Sequence, residues 1–307
     1  MKKISVVIPV YNEEENISKI STEVLTSMPE GYISEVLFIN DGSSDNTLAV
    51  LKELSNSNER VKYISFSRNF GHQYALKAGL DHSTGDAVIS MDGDLQHPPS
   101  LIPKLIERWE SGVDIVGTTR IDHRNTGLFK KISSKLFYSF FRYISKLDLP
   151  KGAADFRLLD RKVVNVLKKF NESHLFIRGI IHWVGFKQEY ISYTANERNA
   201  GKSKYSFLKM VRFSLAGLTS FSVRPLHLAS IVGGIFSLLG FSYAVYALLV
   251  HFIFKETVVG WTSIVASILF MGGLQLIVMG VFGEYLGKMF IESKSRPNYI
   301  IDEKKLE

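Results

Sequence analysis

Asp92 and Asp94 lie in the stretch VISMDGDLQHPP, Val88 to Pro99, where a short apolar run ends in two carboxylates one residue apart. A strand alternates its side chains, so residues i and i+2 point the same way, and two such carboxylates repel unless something positive lies between them. Gly93 lets another backbone or a ligand approach closely. Hard divalent cations such as Mg²⁺ or Mn²⁺ take oxygen ligands of this kind, one or two carboxylates plus substrate phosphates. Asp, Gly and Pro are also common where strands end, so a plain turn accounts for D-G-D taken alone. The choice depends on the elements that position the pair.

Those elements alternate. The apolar runs ISVVIPV, EVLFIN, VKYISF, DAVISMD and VDIVGT read as buried strands rich in β-branched residues. Helical stretches over Glu13–Met28, Asp45–Asn56, His72–His82 and Pro99–Ser111 separate them. This order predicts an α/β fold with a doubly wound, mostly parallel sheet, which binds ligands at the carboxyl ends of its strands. Three polar clusters fall at such ends: PVYNEEEN after the first strand, NDGSSDNT after the second, and D-G-D after the fourth. Ser44 or Asp45 can cap the helix that follows the second cluster. Neither G-x-G-x-x-G nor G-x-x-x-x-G-K-[ST] occurs, which argues against a Rossmann dehydrogenase and a P-loop NTPase.

Charge and hydropathy divide the chain further. The 307 residues carry a net charge of +7 and no cysteine, which excludes disulfides and thiolate metal sites. Between Arg120 and Lys146 lie seven Lys or Arg against the single acid Asp122. Leu128 to Leu147 repeats at helical spacing: Phe129, Ile132, Leu136, Phe140, Tyr143 and Leu147 form one stripe, and Lys131, Lys135, Arg142 and Lys146 another. A basic amphipathic helix of this kind lies at an anionic membrane surface. Residues 205–222, with Lys209 and Arg212, form a second candidate. Pro225–Phe254 and Thr257–Gly283 contain no Lys, Arg, Asp or Glu, and each exceeds the roughly 20 residues a membrane-crossing helix needs. The flanking Arg212, Arg224, Lys288, Lys294 and Arg296 put both ends in the cytoplasm. The expected organisation is a cytoplasmic domain over 1–224, a two-helix transmembrane hairpin over 225–290 and a cytoplasmic tail over 291–307. Gly280, Gly283 and Gly287 permit helix contact and self-association.

Together, VVIPVYNEEENI, LFINDGSSDNT, MDGDLQHPP, GAADFRLLD and NERNAGKSKYS resemble the family 2 glycosyltransferases, in the polyprenyl-phosphate branch that includes dolichol-phosphate mannose synthases and bactoprenol glucosyltransferases. The tail GEYLGKMFIESKSRPNYII is similar to the bactoprenol subgroup. The resemblance implies a GT-A fold, a nucleotide-sugar donor, a divalent metal (Mg²⁺ or Mn²⁺) and a lipid phosphate acceptor. It implies that Pro9, Tyr11, Asn12 and Glu13 line the nucleotide-sugar site, that Asp41 recognises the base, and that Asp92 and Asp94, with Gln96, hold the metal against the donor diphosphate. Asp155 matches the position of a base in this branch; it can equally orient the acceptor or pair with Arg157.

Arg120 and Arg124, just past the fifth strand, are candidates for the acceptor phosphate, because guanidinium forks fit phosphate oxygens. Arg198, Lys202 and Ser203 are candidates to cover the donor diphosphate, on a loop that Gly201 lets close. The leading expectation is an inverting hexosyltransferase making a polyprenyl-phosphate sugar at the cytoplasmic membrane face. UDP-glucose is the expected donor, with UDP-N-acetylglucosamine, UDP-galactose and GDP-mannose as alternatives. A processive polysaccharide synthase lacks support, since no Gln-x-x-Arg-Trp signature occurs. A nonenzymatic membrane or nucleic-acid binder is the rival from a different class, but the basicity sits beside amphipathic and apolar segments, which argues against nucleic acid.

Overall fold

The computed structural model describes residues 1–121, 150, 152–173, 175–194, 223–250, 253 and 260–306. The amphipathic segments 128–147 and 205–222, with Arg124, Arg198, Lys202 and Ser203, lie outside the described residues. Strands β1 (Lys3–Val10), β2 (Ile33–Asn40), β3 (Val61–Phe66), β4 (Ala87–Ser90) and β5 (Ile115–Ile121) form on the five apolar runs. With β6 (Ala153–Asp160), β7 (Gln188–Thr194) and β8 (Ile301–Lys305) they make one eight-stranded sheet of order β7-β5-β6-β4-β1-β2-β3-β8. β1 lies parallel between β2 and β4, β3 is parallel to β2 and β7 to β5, whereas β6 and β8 run antiparallel to their neighbours.

Helices α1 (Ile17–Thr26), α2 (Thr47–Ser57), α3 (His72–His82) and α4 (Ile102–Glu110) fall on the predicted helical stretches, and α5 (Arg161–Leu167) and α6 (Ile177–Trp183) follow β6. Ile4, Val6 and Ile8 of β1 meet Ile17, Ile20 and Val24 of α1 on one face of the sheet. Val7 points to the other face, where it packs so tightly on α3 that a Cβ at Gly79 would collide with it. Coverage on both faces is why these strands read as continuous apolar runs. Each fully buried Ile, Leu or Phe there contributes about 1.5–3 kcal/mol. Asp160 ends β6 and starts α5: its carboxylate accepts from the Lys162 backbone at 2.8 Å and from Trp109 Nε1 at 2.7 Å.

The chain divides into two compact units. One holds the sheet with its helices and, from Arg296 on, the last residues. Within the stretch read as a tail, β8 pairs with β3, Tyr299 stacks on Phe66 at 5.1 Å and Lys52 meets Glu303 at 2.7 Å. The other unit contains α7 (Arg224–Leu249) and α8 (Trp261–Ser293), which touch through Phe236 and Phe270. Ala266–Ser293 is long and apolar enough to cross a membrane, whereas the apolar stretch in α7, Ala229–Tyr243, is shorter. Among the described residues, then, one helix meets the spanning length where the sequence predicts two. Leu238, Phe241, Leu276 and Phe282 expose their side chains, as a lipid-facing surface would.

Candidate active site

The strand order reverses at β1, with β2 on one side and β4 on the other, which makes its carboxyl end the switch point of the sheet. The loops after β1 and β2 are stitched together there. Asn12, in the left-handed region at φ 54°, donates its backbone N–H to Ser43 Oγ at 2.9 Å and accepts from the Ser44 backbone at 2.9 Å through Oδ1. The Glu13 backbone donates to Thr47 Oγ1 at 2.9 Å, and Tyr11 beside it is 47% exposed. Pro9 is buried at the end of β1. Asp41 accepts from the backbone N–H groups of Phe70 at 2.7 Å and Gly71 at 3.0 Å. Burial raises its pKa, against those two hydrogen bonds. The contacts draw the segment after β3 across the end of β2 and set Gly71, at φ 110°, before the first residue of α3, His72.

D-G-D is folded tightly against β1. A Cβ on Gly93 would come within 2.8 Å of Val10 Cγ1, so only glycine allows this approach. Leu95 adopts a left-handed φ of 60°, a strained conformation for a γ-branched residue, and turns the chain back beneath Asp94. Asp94 then accepts from Gln96 twice, at 3.2 Å from the backbone and 2.8 Å from Nε2. Gln96 Oε1 accepts from Arg120 Nη1 at 3.0 Å, so both ends of this amide are engaged. The Asp92 backbone donates to His97 Nδ1 at 3.0 Å, and the His97 ring stacks on Phe156 at 5.3 Å. Burial lowers the His97 pKa and favours the neutral ring, with its proton on Nε2.

Asp92 Oδ1 is buried and has no hydrogen-bond partner among the described residues. A buried carboxylate oxygen left in this state costs free energy unless a cation completes it. Its neighbour is His72 Nε2, at 3.5 Å, which is also 3.9 Å from Asp155 Oδ2. Asp155 in turn pairs with Arg157 and, at 3.0 Å, with Arg178 Nη2. Burial pushes the Asp155 carboxyl up, but Arg157 and Arg178 outweigh it and hold the pKa at about 2. Two carboxylates, one with an orphaned oxygen, fit a hard divalent cation whose remaining positions go to water and substrate phosphates. No group of three or more His, Cys, Asp or Glu suited to a metal occurs among the described residues.

The structure thus gathers Asp92, Asp94, Gln96, Arg120 and Asp155 at one place, with Pro9, Asn12, Glu13 and Asp41 along the adjoining strand ends. Sequence reasoning passed over His72 and Arg178. His72 had a signal, since it opens the helix after the third strand on the ligand-binding edge. Arg178 had none: it approaches Asp155 only because α6 folds back across 23 residues.

The fold resembles glucosyl-3-phosphoglycerate synthase from Mycobacterium tuberculosis, whose structure was solved in complex with Mn²⁺, uridine diphosphate and phosphoglyceric acid. The TM-score is 0.50, with 18% identity over 71% of this chain and 78% of that one. The likeness is one of fold, a GT-A-like, mostly parallel α/β sheet. Residues 5–167 match the family described as Glycosyl transferase family 2. The chain is 42% identical to the bactoprenol glucosyl transferase of Shigella phage SfX, over 99% of this chain and all of that protein. It is also 42% identical to the uncharacterized glycosyltransferase YkcC of Bacillus subtilis, over 97% of this chain and 92% of the relative. The chain belongs to glycosyl transferase family 2, in its bactoprenol glycosyltransferase branch.

Proposed function

We propose that this glycosyltransferase moves glucose from UDP-glucose to a polyprenyl phosphate at the cytoplasmic face of the membrane, with inversion at the anomeric carbon. The observation that carries the reading is Asp92 Oδ1, a buried carboxylate oxygen without a partner at the switch point, beside Asp94. A Mg²⁺ or Mn²⁺ ion held by Asp92 and Asp94 would supply Lewis-acid stabilisation of the departing nucleoside diphosphate. The protein's own residues do the rest. Gln96 fixes Asp94 and is itself fixed by Arg120, so the carboxylate keeps its direction without a rotamer search. Pro9, Tyr11, Asn12 and Glu13, on loops tied by Ser43, Ser44 and Thr47, form the wall for the nucleoside, and Asp41, held by the Phe70 and Gly71 backbone, is the residue for recognising the base. Arg120 has the charge to receive the acceptor phosphate.

A phosphate monoester has a second pKa of about 6 and is largely ionised near neutral pH, so the attacking oxygen needs little help from a base. The lipid supplies the reason for α7 and α8, read here as a membrane hairpin with both ends cytoplasmic, and for the basic amphipathic segments 128–147 and 205–222. Glucose and the lipid acceptor are supported by the phage relative, which bears the name bactoprenol glucosyl transferase. The test offers purified full-length protein a panel of labelled UDP- and GDP-sugars with undecaprenyl phosphate and Mn²⁺. Glucosyl transfer to lipid from UDP-glucose is the expected result. Transfer from another nucleotide sugar alone would overturn the choice of sugar, and transfer from none would overturn the reaction.

A further inference from the structure

Short helix α6 brings a second guanidinium to the site. Its start is clamped twice by the first turn of α3: Gln73 Oε1 accepts from the Ile177 backbone at 3.0 Å, and the Tyr74 hydroxyl donates to the Ser173 carbonyl. The same turn presents His72 to Asp92 and Asp155. Arg178 therefore enters the site from a fixed base. It lies along Asp155 as a fork, with Nε 3.3 Å from Oδ1 and Nη2 3.0 Å from Oδ2.

Asp155 has a cation of its own besides Arg178. Arg157, only 5% exposed, already pairs with it and also donates to the Ala154 carbonyl at 2.9 Å. One carboxylate between two guanidinium groups leaves a net positive charge, and Arg178 is the partner that reaches solvent, with 35% of its side chain exposed. Its Nη1 has no hydrogen-bond partner among the described residues. A long side chain is thus held straight by one edge while a donor on the other edge stays unspent, and the carboxylate that holds it shares His72 Nε2, at 3.9 Å, with the orphaned oxygen of Asp92, at 3.5 Å. Planar donors fixed in this way match phosphate oxygens.

We propose that Arg178, splinted by Asp155, binds a phosphate oxygen of the substrate, and that Asp155 is the positioning residue for this guanidinium rather than a proton acceptor. The proposal rests on the glycosyl-transfer reading above. The phosphate has two sources, the donor's diphosphate and the lipid's monoester. Asp155 already accepts from Arg157 Nη2, Arg178 Nε and Arg178 Nη2, which leaves its oxygens poorly placed to take a substrate proton.

The test uses the full-length protein with Arg178→Gln, Arg178→Lys, Asp155→Asn and the Asp155→Asn/Arg178→Gln double variant. One arm measures binding of UDP with Mn²⁺ by calorimetry. The other measures undecaprenyl phosphate, by KM in initial rates and by binding to the lipid in vesicles. Arg178→Gln is expected to weaken one arm by about tenfold or more, the UDP arm for the diphosphate and the lipid arm for the monoester, with the melting temperature within about 2 °C of wild type. Arg178→Lys, which keeps charge but loses the fork, should fall between. Asp155→Asn should produce the same loss, and the double variant little more than either single change, because both remove one splinted contact. Where Asp155→Asn fails to fold because Arg157 loses its partner, Asp155→Glu, which displaces the fork, makes the same comparison.

Unchanged affinity in both arms for Arg178→Gln would overturn the phosphate contact. Losses that multiply in the double variant, with the Asp155 share confined to kcat, would overturn the positioning role. A wild-type protein that transferred no sugar from any nucleotide sugar would sink the glycosyl-transfer reading, while the two binding measurements would still judge Arg178.

Discussion

Glu35, buried, and Asp155, mostly shielded from solvent, are carboxylates whose pKa is held at about 2, and they sit at opposite ends of the sheet's strands. Around Glu35 every group is matched. Ser5 Oγ donates at 2.5 Å, the Thr84 backbone and hydroxyl at 3.0 and 2.9 Å, and Lys3 Nζ lies 2.7 Å away. Burial raises the carboxyl, and the hydrogen bonds from Lys3, Ser5 and Thr84 more than reverse the shift. Around Asp155 the accounts stay open: two arginines share one carboxylate, Arg157 Nε is buried without a partner, and so is the nearby Asp92 Oδ1. Equal pKa values therefore do not mark equal roles. A closed network stabilises the fold, whereas leftover donors and acceptors at a switch point wait for a ligand.

Removing a carboxylate from the open network should have the largest effect, on rate alone. Outer-shell partners of metal ligands already cost about 10–100-fold, so Asp92→Asn and Asp94→Asn should each lower transfer by at least about a hundredfold. Thermal stability should stay at the wild-type level for Asp92→Asn, because its Oδ1 makes no hydrogen bond to lose. Initial rates with and without chelator, set beside melting curves, check both halves. Full activity in excess chelator, with metal content verified as negligible, would remove the metal from the reading.

Glu35→Gln should do the reverse. Its pKa of about 2, against an ordinary 4.5, corresponds to a stabilisation of about 3 kcal/mol, present above pH 4.5 and lost as pH falls towards 2. The folded state prefers the charged form, so protons bind more readily to the unfolded chain across that window and acid favours unfolding. The variant should be about 2–3 kcal/mol less stable at pH 7, with a flatter stability profile between pH 4.5 and 2 and an unaltered KM for both substrates. Denaturant titrations across that window read the difference. An equally steep profile in the variant would move the acid sensitivity to Asp155 and blur the distinction between the two carboxylates.

What the sequence revealed follows the same division. β1 to β5 were legible because burial on both faces writes them as apolar runs, and the Asp92–Asp94 pair because its two carboxylates are adjacent in the chain. β6 was hidden by Asp155 and Arg157, charged residues that only their mutual pairing makes tolerable in a central strand. β8, Ile301–Lys305, carries four charged residues in five, since it needs only one edge of β3 and faces solvent on alternate positions. Arg178 and His72 could not be assigned roles from spacing, because what brings them to Asp155 is the crossover of α3 and the return of α6. Local pattern reports burial; contact across the switch point requires topology.

The smallest effect tests whether the last residues belong to the closed kind of network. Tyr299 reaches from the chain's end to donate its hydroxyl to Asp81 Oδ2 at 3.1 Å, while Lys77, nearly buried, holds Asp81 Oδ1 at 2.5 Å. Burial and the Asp81 charge raise the Tyr299 pKa, so the phenol stays a donor throughout the working range. Tyr299→Phe keeps the ring stacked on Phe66 and leaves Asp81 paired with Lys77, so only one hydrogen bond is removed. The expected loss is about 1 kcal/mol of stability, with transfer rate and both KM values unchanged. A chemical denaturation curve measures the first and initial rates the second. Should the variant keep its stability but lose rate, the path from Asp81 along α3 to His72 would connect the chain's end to the site. The contrast between closed and open networks would then fail at this edge of the sheet.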